Sequence, residues 1–337
     1  MTDPTTVGPV TIDPAIVDRL KIDPVKVIET VTFVAPLGLR FWDDVSGKFI
    51  GDGLVVTAYP EGNPSRRVPA FSNSSGIYIP RKLPGLRDFE NGKGDEAFWD
   101  FWKQKSKIPF VIEVEDTEGR FQPFLLTIGL PVRSLFVWED LLSPPTASPG
   151  VPLYSTPNRS VPAGMAVLHA DLWDPWGGLK HTGGPAAWAV IEARIHGKLI
   201  ARGVADEKGR IALIFAYPEP VTDTLGSPPG FSLTSPPGPT GPSLREQEWS
   251  IELDAAYGRL RAVPPLRDMR SIPKLHDVLS QPPATLWADS ERTRPLVEQT
   301  LKFGQELIVR SEAENFTSPP RVKPMSELFI TPAESLP

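Results

Sequence analysis

The chain has 337 residues with 35 Lys and Arg against 41 Asp and Glu, a net charge of −6, and 40 prolines but no cysteine. That proline content excludes a mainly helical protein, and the charge gives no electrostatic reason to bind nucleic acid. The missing thiols exclude disulfides, thiolate nucleophiles and cysteine zinc sites, which fits a cytoplasmic chain of about two domains.

Residues 1–32 carry Asp3, Asp13 and Asp18 with no basic region ahead of an apolar run, so no signal peptide is expected. No stretch of the chain approaches about 18 uninterrupted apolar residues, so no transmembrane segment is expected either. Ile12-Asp13-Pro14 and Ile22-Asp23-Pro24 each set an Asp N-cap before a Pro at the first helical position. This predicts two short helical turns in an N-terminal arm.

A strand-rich unit is expected over 33–142. Leu54–Tyr59 is rich in β-branched residues, Ser74-Ser75-Gly76 turns into Ile77–Ile79, and Phe110, Ile112 and Val114 alternate with Glu113 and Glu115. The Gly94–Lys103 insertion reads as a short aromatic helix, with Phe98, Phe101 and Trp102 on one face and Trp99 beside them. It either caps the end of its own unit or anchors a neighbouring subunit. Residues 143–162 form a proline-rich linker expected to be extended and semi-rigid.

The segment 163–263 repeats the first unit. Phe110–Phe121 aligns without gaps on Trp249–Leu260, and both copies close at a Gly-Arg pair, Gly119-Arg120 and Gly258-Arg259. Upstream, Phe41-Trp42-Asp43 corresponds to Leu172-Trp173-Asp174, Leu54–Tyr59 to Ala189–Arg194, and Ser74–Ile79 to Glu207–Phe215. A duplicated β-sandwich is the economical reading. Copy two carries a proline-rich loop at 218–242, including Pro236 and Pro237, that suits a contact surface. In the C-terminal arm, 264–337, Val297, Leu301, Gly304 and Ile308 follow helical spacing and predict a helix near 295–309, with a tail from Ser318 unlikely to fold alone.

Chemistry is sparse. His169, His181, His196 and His276 show no metal-ligand spacing, and serine-elbow, dinucleotide and phosphate-loop motifs are absent. The carboxylates Asp43, Asp44 and Asp52, and Glu113, Glu115, Asp116 and Glu118, could serve calcium, but a solvated strand face explains them better. No catalytic, cofactor or metal residue is therefore assigned. Asn73, Asn158 and Asn315 begin sequons that carry no weight without a signal peptide. Trp42, Trp173, Trp188 and Trp249 are expected in the core, while Trp99, Trp102, Trp138, Trp176 and Trp287 lie near loops where an interface or sugar-stacking role competes.

Val204-Ala-Asp206-Glu207-Lys208-Gly209-Arg210-Ile211, and more loosely Ser72–Tyr78, resemble the Gly-Arg turn of carboxypeptidase regulatory-like, transthyretin-like domains. The resemblance implies an all-β fold with two transthyretin-like or immunoglobulin-like sandwiches in tandem, and a non-catalytic spacer or interaction role. With proline-rich arms at both ends, the overall pattern also resembles accessory baseplate proteins of phage-tail-like contractile injection systems. That implies a structural subunit binding other subunits, in multiple copies, through its arms and loops. The interaction residues expected are Phe98, Trp99, Phe101, Trp102, Trp176, Pro236, Pro237, Trp287 and Phe329. The alternative is a carbohydrate-binding or adhesion module using exposed tryptophans, and a metal hydrolase built on His169 or His181 is a third class.

Overall fold

Alternating apolar residues build the first sheet, as the period-2 pattern predicts. In chain order β1 (Phe41–Asp43), β2 (Lys48–Ile50), β3 (Leu54–Pro60), β4 (Val68–Ser72), β5 (Tyr78–Pro80), β6 (Ile108–Asp116) and β7 (Phe124–Leu130) are strands. The antiparallel order is β5-β4-β3-β6-β7. Val56 faces Val114 and Ala58 faces Ile112 across the β3–β6 ladder, so one face of both strands is apolar and buried. A smaller sheet packs on that face, with β1 between β2 and β8 (Val151–Pro152). The ring of Phe41 in β1 meets Tyr78 at 5.3 Å and Phe124 at 6.5 Å between centroids. Between β5 and β6 stand the helices α1 (Arg87–Glu90) and α2 (Glu96–Lys103). The second starts at Asp95, whose carboxylate accepts the backbone N–H of Phe98 at 2.9 Å.

Most of the remaining described residues form a larger curled sheet. The elements that follow in chain order are β9 (Met165–Asp174), β10 (Gly184–Pro185), β11 (Val190–Ile195), β12 (Lys198–Val204), β13 (Arg210–Ala216), β14 (Glu248–Ala256), α3 (Leu275–Leu279), β15 (Pro283–Trp287), β16 (Glu298–Lys302), β17 (Leu307–Ile308), β18 (Glu312–Asn315), β19 (Arg321–Pro324) and β20 (Leu328–Pro332), of which β18 and β19 pair only with each other as a separate two-stranded sheet. The main path is β10-β9-β20-β15-β14-β11-β12, with β13 and β17 also on β9 and β16 on β14. Strands β12 and β13 are consecutive yet ladder with different partners, so the sheet wraps around one core. The computed structural model describes residues 33–139, 149–177, 183–219, 246–260, 272–315, 321–324 and 326–333. The helical turns expected at 12–14 and 22–24, and Pro236 and Pro237 in the 218–242 loop, lie outside the described residues.

Three expectations are corrected. The 295–309 segment is strand, not helix: β16 pairs antiparallel with β14, Gly304 turns the chain at φ +73°, and β17 joins β9. Of the residues that suggested a helical face, Val297 and Ile308 are exposed, while Leu301 is buried. The C-terminal tail is not a free arm, because β20 lies between β9 and β15 with Leu328 and Ile330 buried. The described part of the proline-rich linker, 149–162, is no simple spacer: β8 pairs with β1, and Ser155 bridges to Phe121. Prolines fit there because a short edge strand spares some ladder donors.

Two hydrophobic clusters hold the structure. One contains Leu39, Phe41, Ile112 and Leu126 but also Trp188, Val190 and Val204, together with Leu275, Val278 and Leu279 of α3. The other collects Leu168, Ile211, Leu213, Trp249, Ile251 and Ile330. The tryptophans divide differently than expected. Trp188 and Trp249 are core, Trp42 and Trp173 are only half-buried, and Trp138 and Trp287 are buried.

One turn design recurs. Asp206 Oδ1 accepts the backbone N–H groups of Lys208 and Arg210 at 2.8 and 2.9 Å, and its other oxygen holds the Arg210 side chain. Asp116 does the same with Arg120. Asn73 Oδ1 accepts Ser75 N–H and Ile77 N–H in the 73–77 turn, an amide standing where the other two turns have an aspartate. Each short side chain satisfies donors that the turn leaves unpaired, and each loop has a glycine at positive φ three residues on. The counterpart of 206–210 is thus 116–120. The expected partner Gly258-Arg259 closes differently, since Arg259 reaches back to Asp174. A β-carbon at Gly209 (φ +76°) would lie 2.4 Å from the Leu172 carbonyl oxygen, whereas one at Gly119 (φ +68°) meets nothing within 4 Å. Gly119→Ala should therefore cost only the left-handed penalty of about 1–2 kcal/mol. Gly209→Ala should cost clearly more, and equal urea midpoints for the two variants would refute the clash.

Candidate functional site

The aromatic helix has two faces. On the inner one Phe98, Trp99 and Trp102 surround the fully buried Phe89 at 5.0, 5.2 and 5.3 Å between centroids. They are half-buried and close the end of the first core. Phe101 does not share this face as expected. It is 55% exposed and lies edge-on to Trp102 at 5.9 Å. The Lys105 ammonium sits 4.3 Å from the Phe101 ring centre and 4.4 Å from that of Trp102. Arg133 lies over Trp99 at 5.6 Å and makes a bidentate pair with Glu96 at 3.0 and 2.8 Å. The outer face is therefore aromatic with a basic rim.

The other expected interaction residues are scattered. Trp176 is half-buried under the Arg292 guanidinium at 4.0 Å. Trp287 is buried in β15 and donates its indole N–H to Thr331 Oγ1 at 2.9 Å, so it fastens β15 to β20 and leaves no surface for a partner. Phe329 is half-buried in β20 beside it, in register with Trp287. The structure brings Phe98, Trp99, Phe101 and Trp102 together, and sets Trp287 and Phe329 apart from them as part of the sheet.

The carboxylates are mostly committed to the fold. Asp43 is buried and accepts two hydrogen bonds from Arg159 at 2.8 and 2.7 Å, one from Ser46 Oγ at 2.6 Å, and the Val45 N–H. Burial raises its pKa, but Arg159, Ser46 and the turn N–H outweigh that and hold the carboxyl below its ordinary value. Asp174, at the matching place in the repeat, is buried against Arg259 at 2.6 Å with the Tyr257 hydroxyl at 3.3 Å. Burial, then the Asp174 charge, pushes the Tyr257 hydroxyl far above its ordinary value. Burial also raises Asp116 and Asp289, but each ends lowered, the first by Arg120 and turn N–H groups and the second by hydrogen bonds from Thr293, Arg294 and Arg292. Asp289 repeats the turn design a third time among the aspartates, with Arg292 at φ +61° in the glycine's place.

His169 contacts Glu306 at 2.5 Å, tying β9 to the turn before β17. His196 occupies the exposed β11–β12 turn, His276 lies 3.8 Å from Asp277, and His181 is outside the described residues. Among the described residues no group of three or more histidines and carboxylates is placed to hold a metal ion, and no helix is long and apolar enough to cross a membrane. The sequence did contain the signal for the paired turns, since Asp-x-x-Gly-Arg occurs at both 116–120 and 206–210. Nothing in it marked Arg159 as the partner of Asp43. No protein-family model, curated protein or solved structure matches the chain.

Proposed function

We propose that this chain is a non-catalytic structural subunit, built on two transthyretin-like sandwiches, that docks on neighbouring subunits of a multiprotein assembly. Its first candidate assembly is the baseplate region of a phage-tail-like contractile particle, present in multiple copies. The observation that carries the docking role is the outer face of α2, where Phe101 is 55% exposed beside Trp102 with the Lys105 ammonium over both rings. Aromatic side chains rimmed by basic ones are the residues that supply most energy at protein interfaces. The carboxylate arrangements support the non-catalytic reading: Asp43, Asp116, Asp174 and Asp206 each hold an arginine, and Asp43, Asp116 and Asp206 also brace turns, work that accounts for them without a substrate. Because β20 is part of the sheet, the C-terminal tail drops out of the docking mechanism.

The test is sedimentation of assembled particles from cells making the wild-type chain or the Phe101→Asp variant. Phe101 lies outside both cores, so the variant should keep its thermal midpoint within a few degrees while its share in the particle fraction falls at least tenfold. A wild-type chain found wholly in the slow, unassembled fraction would sink the assembly reading. Normal incorporation of the variant would remove α2 from it.

A further inference from the structure

The outer face of the first sheet carries an apolar row with a charge beyond each end. Val55 faces Glu115 across the β3–β6 ladder, and Phe71 faces Ile79 across β4–β5. Thr57 of β3 stands on Pro69 of β4, so two residues further along each strand Val55 and Phe71 come side by side and complete the row from β5 to β6. The core takes the opposite face, through Val56, Ala58 and Tyr78. Val55 is 46% and Phe71 43% exposed, and neither belongs to a buried cluster. Single exposed apolar residues are ordinary, but a contiguous row of them marks a contact surface.

The two charges have no partner of their own. Just past β5, the exposed Arg81 guanidinium lies 4.9 Å from the Phe33 ring centre and 5.0 Å from that of Phe71, with no carboxylate paired to it among the described residues. On the β6 side Glu115 is exposed and makes no hydrogen bond or ion pair among the described residues. Three strand spacings of about 4.8 Å separate their columns, so they do not meet within one chain. Such a face is complementary to itself. A two-fold axis in the plane of contact, running along the strands between β3 and β4, exchanges the two ends of the row. It sets Val55 of each copy on the partner's Phe71 and each Arg81 against the partner's Glu115. Because the axis follows the strands, the two sheets keep nearly one strand direction, as aligned sheets packed about 10 Å apart do.

We propose that the outer face of β5, β4, β3 and β6 is the two-fold interface of a homodimer, with Val55 and Phe71 at its centre and each Arg81 paired to the partner's Glu115 at its rim. The dimer does not depend on the docking role of α2, because none of its contact residues belongs to that helix.

The test is sedimentation equilibrium of the purified full chain at concentrations up to about 0.5 mM, where the wild type should dimerise with a dissociation constant below about 100 μM. Arg81→Glu and Glu115→Arg each bring like charges together at both ends of the interface and should weaken the dimer at least about tenfold. The double variant with both changes restores opposite charges across the axis and should recover the wild-type affinity to within about threefold. Phe71→Asp should leave the chain monomeric. All three positions lie outside the buried clusters, so every variant should keep its thermal midpoint within a few degrees. A wild-type chain that stays monomeric would overturn the proposal and leave the residues before Phe33 to cover the face. A dimer indifferent to the single charge reversals, or one that the double variant fails to recover, would overturn the pairing and the axis with it. A dimer lost in Phe101→Asp but kept in Phe71→Asp would move the contact to α2.

Discussion

Removing residues 326–337 will unfold the second half of the protein. Strand β20 runs parallel to β9 on one side and antiparallel to β15 on the other, so its loss breaks the sheet in the middle. Leu328 and Ile330 are buried in the core, each worth about 1.5–3 kcal/mol on transfer from water. Trp287 also loses the Thr331 hydroxyl that receives its indole N–H. Together with the lost ladder bonds these approach the whole stability of an ordinary domain, roughly 5–15 kcal/mol. The tail reads from composition as an appendage, whose deletion would leave the sheets standing. The structure gives the opposite expectation, namely loss of near-ultraviolet circular dichroism and aggregation of the truncated chain. The single change Ile330→Ala gives a milder version, with about 2–5 kcal/mol lost in urea unfolding. A truncated chain with a native spectrum would show that β20 is dispensable.

Asp43→Asn should cost about 3–5 kcal/mol, because it leaves the mostly buried Arg159 guanidinium without its counter-charge. It also weakens the ties from β1 to the segment that follows β8. The pH dependence has a definite sign. The Asp43 carboxyl is held below its ordinary value in the folded state, so its contribution is fully present above the unfolded value of about 3.9. It is lost as pH falls further through the folded value. Asp116 and Asp289 are lowered too and add to the same acid limb, so the variant should flatten that limb only in part. Urea midpoints at pH 7 and pH 2.5 measure both effects. A variant within 1 kcal/mol of wild type at pH 7, or one with an unchanged acid limb, would mean that the pair contributes little beyond its desolvation cost.

The β-rich character and several central strands are legible because their side chains alternate. Phe110, Ile112 and Val114 in β6, and Trp249, Ile251 and Leu253 in β14, turn one face inward and are buried as the pattern requires. The aromatic helix is legible from the spacing of its aromatic residues, although Phe101 is not on the face with Phe98 and Trp102. The 295–309 stretch misleads because apolar residues spaced three and four apart fit a helix, while the same chain alternates as strand around Gly304. Leu328-Phe329-Ile330-Thr331 is an apolar run with good strand propensity, hidden by the prolines near it. Only long-range pairing with β9 and β15 makes it central, and such pairing leaves no local trace. Of the candidate surface, composition found the aromatic cluster. Which ring points outward depends on Phe89, which sequence spacing does not connect to α2.

Leu275, Val278 and Leu279 are in the first core, and β20 completes the second. During synthesis, then, residues 33–139 leave the ribosome long before the helix that covers them. At about 5–20 residues per second the nascent chain must wait on the order of ten seconds with that surface open. Neither half can close until α3 and β20, respectively, have emerged. Protection by a chaperone should thus matter most between the emergence of β7 and that of α3.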